Sequence, residues 1–453
     1  MKILIAGAGK VGRAVTEELS SEGHDLTLID RNADLLESIQ GSYDVITIEG
    51  NAASATTLQE ADIDKADLLI AATNADEINM LACITANAMN PKIDTIARIR
   101  DPEYVDQAYV MREQFGLKLV VNPEKDTAIE IARLIRYPGF IKRETFAKAK
   151  VEIVELKVKE KSKLNNLRLM DLTKTVRSQV LVCCVLRDGK ATMPDGNFVL
   201  KEGDKVFVTG AAGEIRSLLL NLGIITKSVK HVLIAGGGKI SYYLADELER
   251  YGISSSIIEQ DRATCEDLAR RLPLTTIVCG DASDQAILES EEIRDYDAFV
   301  SLTGLDELNI VTSMYASLAK VPHIVTKLGR GENFELTDKL PIGSIVCPKA
   351  LCTMHIVRYV RAIQNHRGAA QSIHRIAEGK VDAIEFEVES NTRHIGEPLK
   401  DMNLKNNLLV VSIRNGSKVE IANGHSSFQA GDVIVVVTDK DNAVYTVNDI
   451  FEE

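Results

Sequence analysis

The sequence predicts an α/β chain with two doubly wound parallel sheets, each followed by a small β-rich α+β domain. Three observations predict it. A short apolar run at the N-terminus leads into a glycine turn and then a helical pattern. The same arrangement returns 229 residues later, Gly7 answering to Gly236. After each such half, the apolar residues change from continuous runs and helical spacing to strand-like alternation.

Residues 3–6 (Ile-Leu-Ile-Ala) read as a strand buried on both faces. The turn that follows is Gly7-Ala8-Gly9-Lys10-Val11-Gly12, and Val11, Ala14, Val15 and Leu19 recur at helical spacing behind it. In this strand–turn–helix setting, Gly7 permits a sharp turn, Gly9 lets a pyrophosphate approach the backbone, and Gly12 lets the helix pack on the strand. The phosphates would meet the free N–H groups of the helix N-terminus. Residues 26–29 read as the second strand, and Asp30 ends it, about where a ribose-binding carboxylate belongs. Such a carboxylate accepts from ribose hydroxyls and repels a 2′-phosphate, which favours NAD over NADP. Arg31 beside it could blunt that preference and reads more simply as a solvated charge.

Further strands are expected at 45–48, 67–72, 94–98 and 118–121, with helical patterns between them such as 77–89. That alternation implies a parallel sheet whose ligand lies beyond the carboxyl ends of the strands. Asn51 and Ala52, Thr73 and Asn74, and Arg98 all follow or close such strands. Each also has a plainer reading: Thr73-Asn74 could cap the next helix, and Arg98 could be a surface charge. A helical pattern follows Pro123, with Ala128, Ile129, Ile131, Ala132 and Ile135 apolar, and a short further helical piece after Pro138-Gly139. Residues 151–158, 180–186 and 205–209 then read as strands, with Asp188-Gly189 and Gly203-Asp204 as turn signals.

The second half repeats the plan. Gly236, Gly237, Gly238, Lys239 and Ile240 form the second turn, with Ser241 where Gly12 stood, and Glu259 falls where Asp30 did. Gly280-Asp281-Ala282 answers to Gly50-Asn51-Ala52, and Thr303-Gly304 to Thr73-Asn74. Lys327 stands in place of Arg98. The second site therefore differs in ligand or affinity, or is vestigial. Gly431-Asp432 repeats Gly203-Asp204 before a final strand, so the β-rich module is duplicated too.

At 453 residues the chain exceeds one hydrophobic core and divides into several domains. No apolar run reaches the ~18 residues needed to cross a bilayer. The opening strand leaves no room for a signal peptide, which points to the cytosol. A net charge of −13 argues against nucleic acid or an anionic membrane surface as the main partner. The seven cysteines include no CxxC and no Cys/His set with ligand spacing. They read as structural thiols, with no metal site.

The order of these motifs resembles the regulator-of-potassium-conductance (RCK, or KTN) domain family. They are a GxGxxG turn with its acid, a Gly-(Asp/Asn)-Ala segment, a Thr-Asn/Gly edge, a Pro-initiated helix, and a β module with Gly-Asp before its last strand. The likeness covers nearly the whole chain and is carried by order and duplication. It implies Rossmann-like N-type domains at 1–122 and 229–347, linking helices at 123–148 and 348–372, and C-type domains at 149–226 and 373–453. It further implies a cytoplasmic regulator, attached at the inner face of the membrane through an integral-membrane potassium transporter of the TrkH/TrkG type. In such a regulator the α/β halves bind NAD(H), with ATP and ADP as further ligands, and the chains form a homo-oligomeric ring, a tetramer. Carried over here, Gly7, Ala8, Gly9, Lys10 and Val11 would cradle the phosphates, Asp30 would hold the ribose, and Thr73, Asn74 and Arg98 would line the edge. Asn51 departs from the Asp usual in the family, which Asp281 keeps.

The competing reading is an NAD-dependent oxidoreductase. It would need an acid/base beside the nicotinamide. The eight histidines are scattered, and none has a counterpart at the repeat offset. No catalytic residue is assigned, and the chain is expected not to be an enzyme.

Overall fold

A computed structural model describes the chain apart from residues 111, 113–114, 137–142, 147–150, 225–228, 330–339, 365–371, 417, 441, 443, 445 and 453. Two compact units result, Met1–Arg136 with Val229–Val357, and Tyr137–Ser228 with Arg358–Glu453.

The first unit holds two six-stranded parallel sheets. In one, β1 (Lys2–Ala6), β2 (Asp25–Asp30), β3 (Ile46–Glu49), β4 (Leu68–Ala71), β5 (Asp94–Arg98) and β6 (Leu119–Val121) run in the order 3-2-1-4-5-6. The expected strands are thus present with ends shifted by a residue or so. The order reverses between β1 and β4, and this switch point opens a crevice at the strand ends. β1 is buried along its apolar length because helices cover both faces, which is why it shows no alternation.

In the second unit, β7 (Arg143–Phe146), β8 (Val151–Lys157), β9 (Leu181–Arg187), β10 (Lys190–Thr192) and β11 (Lys205–Ala211) form an antiparallel sheet, order 10-9-11-8-7. Among the described residues of 123–148, expected as linking helices, there are therefore one helix, Pro123–Arg136, and an edge strand paired with β8, while Pro138-Gly139 and the residues up to 142 lie outside the described residues. Arg-Glu-Thr-Phe is too short for either period to decide, and pairing with a neighbour settled it. The Gly203-Asp204 signal has a physical role. Asp204 is buried and accepts from both Nε and Nη2 of Arg187 at 2.7 Å and from the Lys201 N–H at 2.8 Å. Asp432 does the same work with Asn415 Nδ2 and the Gln429 N–H, both at 2.8 Å.

The duplication is complete in topology. In the first unit, β12 (His231–Ala235), β13 (Ser254–Glu259), β14 (Thr276–Cys279), β15 (Ala298–Ser301), β16 (His323–Lys327) and β17 (Ser344–Val346) repeat the parallel order, 14-13-12-15-16-17. In the second, β18 (Ser372–Ile376), β19 (Val381–Glu387), β20 (Leu408–Asn415), β21 (Lys418–Ile421) and β22 (Val433–Asp439) run 18-19-22-20-21.

The apolar face of the helix Pro123–Arg136 packs on the half that follows it in sequence. Ala128, Ile131, Ala132 and Ile135, at i, i+3, i+4 and i+7, enter one core with Val232, Ile234, Leu244, Leu248 and Val300 of the second half. Its Asp126 lies 3.0 Å from His355 on the helix Pro348–Gln364. Among the described residues no helix is long and apolar enough to cross a membrane.

Candidate nucleotide-binding site

Each glycine turn sits at the crevice beside the central strand. Gly7 takes φ +107°, and a Cβ there would meet the Ala72 carbonyl and Thr73 Cα at 2.9 Å. A side chain is thus excluded twice, by backbone conformation and by the neighbouring strand end. Gly12 is needed for another reason: a Cβ would stand 1.8 Å from the Gly7 carbonyl oxygen. Gly9 has nothing within 4 Å of its Cβ position, so the turn opens outward there. The following helix, Lys10–Ser21, begins with no side-chain cap and no acid in its first turn, which leaves its N–H groups toward the crevice.

Asp30 is fixed by the backbone. Its Oδ2 accepts from the Ala8 N–H at 2.6 Å and its Oδ1 from the Asn32 N–H at 2.9 Å. Glu259 is held the same way, by the Gly237 N–H at 2.7 Å and the Asp261 N–H at 2.8 Å. The longer acid fits because its neighbour is smaller. A Cβ on Gly237 would lie 2.9 Å from Glu259 Cβ and Cγ, where the first half carries the methyl of Ala8 against the shorter Asp30. Ser241 also fits: its Oγ donates to the Gly236 carbonyl at 2.5 Å, so the hydroxyl binds the group a third glycine would leave open.

The first crevice is about 910 Å³, within the range of small-molecule sites. Of the residues singled out from sequence, Gly7, Gly9, Lys10, Asp30, Asn51, Ala52, Thr73, Asn74 and Arg98 line it. Ala8, Val11 and Gly12 do not; Val11 is buried on the apolar side of the helix. The second crevice, about 300 Å³, is lined by Gly236, Gly237, Gly238 and Glu259, but not by Lys239 or Ile240. Ile240 is core, and Lys239 turns away, its Nζ 2.9 Å from Asp101 of the first half.

Asn51 and Asp281, which differ in charge, do one structural job. Asn51 Oδ1 accepts from the Ala53 N–H at 3.3 Å, and Asp281 Oδ1 from the Ser283 N–H at 2.8 Å. Thr73 is held in both its roles. It lines the crevice, and its hydroxyl donates to Asn79 Oδ1 at 2.7 Å. The helix Asp76–Met89 starts at Ala75 without a side-chain cap, so Thr73 and Asn74 do not cap it.

Arg98 is neither a free surface charge nor tightly paired. Its Nη1 reaches the Thr73 carbonyl at 3.5 Å, its Nη2 stands 4.0 Å from Glu124, and its buried Nε has no hydrogen-bond partner among the described residues. Burial pushes its pKa down and that of Glu124 up. Lys327 is drawn further in, donating to the Thr303 carbonyl at 2.6 Å, and burial lowers its pKa too.

Sequence reasoning missed three working residues. Asn79, fully buried, accepts from the Thr73 N–H at 2.8 Å and donates to the Arg98 carbonyl at 2.8 Å, tying the ends of β4 and β5 together. Asp76 accepts from the Arg100 and Asp101 N–H groups, both at 2.8 Å, and Arg100 joins the crevice wall. Asn309 and Asp306 repeat the first two. Their recurrence in the duplicated Asp-Glu-x-Asn segment was the available signal.

The TrkA-N domain matches residues 3–123 and again 232–348, and the TrkA-C domain matches 153–223 and 383–450. The chain is 32% identical to the Trk system potassium uptake protein TrkA of Vibrio alginolyticus, over 100% of this chain and 99% of that protein. It is 31% identical to a TrkA homolog of Archaeoglobus fulgidus, over all of both chains. Among solved structures, the GsuK channel bound to NAD superposes with TM-score 0.63 at 16% identity, covering 97% of this chain and 77% of that one. The GsuK RCK domain gives 0.62, also at 16% identity, covering 97% and 92%. The relatives are named as potassium uptake proteins, not as enzymes. With both domain types present twice and full-length relatives in hand, this chain belongs to the TrkA family of potassium uptake proteins.

Proposed function

We propose that the chain is a regulatory subunit that senses nucleotides, NAD(H) first and ATP or ADP second, and gates a membrane potassium transporter of the TrkH/TrkG type. It would act in the cytoplasm as a homo-oligomer, a tetramer, docked on its transporter at the inner face of the membrane. The observation carrying the ligand reading is the first crevice: an open glycine turn, a helix N-terminus, and a carboxylate already oriented by two backbone N–H groups. These fit a dinucleotide. Gly7, Gly9 and the N-terminus of the first helix would hold its pyrophosphate, Asp30 its adenine ribose, and Arg98 and Arg100 the outer charge. Among structurally similar chains, one GsuK channel is bound to NAD and another GsuK chain to ADP (TM-score 0.51), which supports the same ligand class. The crevice-lining residues include no histidine, tyrosine or cysteine.

Calorimetry with NADH, NADPH, ATP and ADP tests this on wild type, Asp30→Ala and Glu259→Ala. Loss of a hydrogen-bonded carboxylate should weaken NADH binding about 10- to 100-fold in Asp30→Ala. NADPH should bind wild type more weakly than NADH, and Asp30→Ala should narrow the gap. Unchanged binding in both variants would refute the site, and steady NADH turnover with a carbonyl substrate would favour the oxidoreductase.

A further inference from the structure

The rim of the second crevice holds a feature the first lacks. Cys265, on the helix Arg262–Arg271, donates its thiol hydrogen to the Glu259 carbonyl at 3.2 Å. The N–H of Gly280 reaches the same carbonyl at 2.9 Å. Cys279, the residue before Gly280, is the register partner of Glu259 across β13 and β14. One carbonyl oxygen thus gathers the side chain of one cysteine and the backbone next to the other. The helix and the strand are packed directly together there, and the Cys279 thiol is the neighbouring group that acts most strongly on Cys265. At the equivalent places the first half has Leu36 and Glu49.

Their environments differ in a useful way. Cys279 is exposed, and the other six cysteines, Cys265 included, are buried. Burial pushes the Cys265 thiol up to about 11, so it is neutral at rest and reacts second.

We propose that Cys265 and Cys279 form a redox-modification site, closing to a reversible intrachain disulfide at the rim of the second crevice when the protein meets a small-molecule disulfide. The exposed Cys279 thiolate attacks one sulfur of the oxidant RSSR, giving a mixed disulfide and releasing one RS⁻. Cys265 gives its proton to water and displaces the second RS⁻ from Cys279. Two protein thiols are oxidised and one RSSR is reduced to two RSH. The bond fastens the edge strand β14 to the helix beneath it, next to the backbone that orients Glu259. It does so whether or not a nucleotide occupies that crevice.

The test treats the reduced full-length protein with excess oxidised glutathione, traps remaining thiols with an alkylating agent, and reads intact mass and peptides. Wild type should lose two hydrogen atoms before trapping, yield after trapping a linked peptide pair containing residues 265 and 279, and return to its starting mass when dithiothreitol is added in place of the alkylating agent. Amide exchange across β14 should slow in the oxidised form. Cys265→Ala should stop at a lasting glutathione adduct on Cys279, and Cys279→Ser should take up none at this site. A wild type that accumulates a stable adduct on Cys279, or links Cys279 to any cysteine other than Cys265, would overturn the proposal.

Discussion

At the scale of single residues, some of the working positions answer to one contact each. Gly12 is set by a carbonyl 1.8 Å from where its Cβ would be, and Gly237 by the extra methylene of Glu259. His24 is the odd one. It is buried, neither ring nitrogen has a hydrogen-bond partner among the described residues, and Glu22 stands 3.7 Å away. Burial lowers its pKa below 6.5. The folded state therefore resists the protonation that the unfolded chain accepts, and stability falls as pH drops below about 6.5 toward the folded value. The second half places Ile253 at the equivalent position. His24→Ile should remove that acid loss. Urea denaturation at about pH 7.5 and about pH 5.5 should show its advantage over wild type growing as pH falls. An advantage independent of pH would assign the effect to packing alone.

At the scale of elements, the helix Pro123–Arg136 has the largest consequence. Its apolar stripe fills the core of the opposite half, so the second parallel sheet is completed by chain that belongs to the first half in sequence order. Ile131 and Ile135 are fully buried there. Truncating Ile131 to Ala leaves a cavity in the second half and should cost about 2–5 kcal/mol. The loss should appear in amide exchange across β12 and β15 as well as in the helix itself. Protection lost only within residues 123–136 would show that the helix is dispensable to its host.

At the scale of the first unit as a whole, the two crevices share a seam. Lys239, from the second glycine turn, pairs with Asp101; Tyr243 donates to the Arg100 carbonyl at 3.0 Å, and Asn122 donates to the Tyr243 hydroxyl at 3.0 Å. Arg100 is a wall of the first crevice. A phosphate at the second turn that drew Lys239 back from Asp101 would remove one of the contacts holding the loop that carries Arg100, leaving those of Asp76 and Tyr243. An exposed ion pair contributes about 0–1 kcal/mol, so Asp101→Asn should leave thermal stability nearly unchanged. It should instead reduce the effect of saturating ADP on NADH affinity, and by linkage the effect of NADH on ADP affinity by the same factor. Titrations of each nucleotide with and without the other measure both. Equal coupling in wild type and variant would remove this seam from the mechanism.

What is local could be read from the amino-acid sequence alone. β1 and β12, the glycine turns, the acids that end β2 and β13, and the duplication were all legible, because buried strands and left-handed turns restrict residue type position by position. It missed Asn79 and Asp76, whose partners lie across the strand ends, and the edge strand Arg143–Phe146, which only a neighbour could define. It showed that Ala128, Ile131, Ala132 and Ile135 share a face, but not that the face belongs to the other half. A periodic stripe states that apolar area leaves water, and the same free energy is gained against any apolar surface of matching shape. Which surface that is, and how large a crevice remains beside each glycine turn, were decided only when the two halves packed.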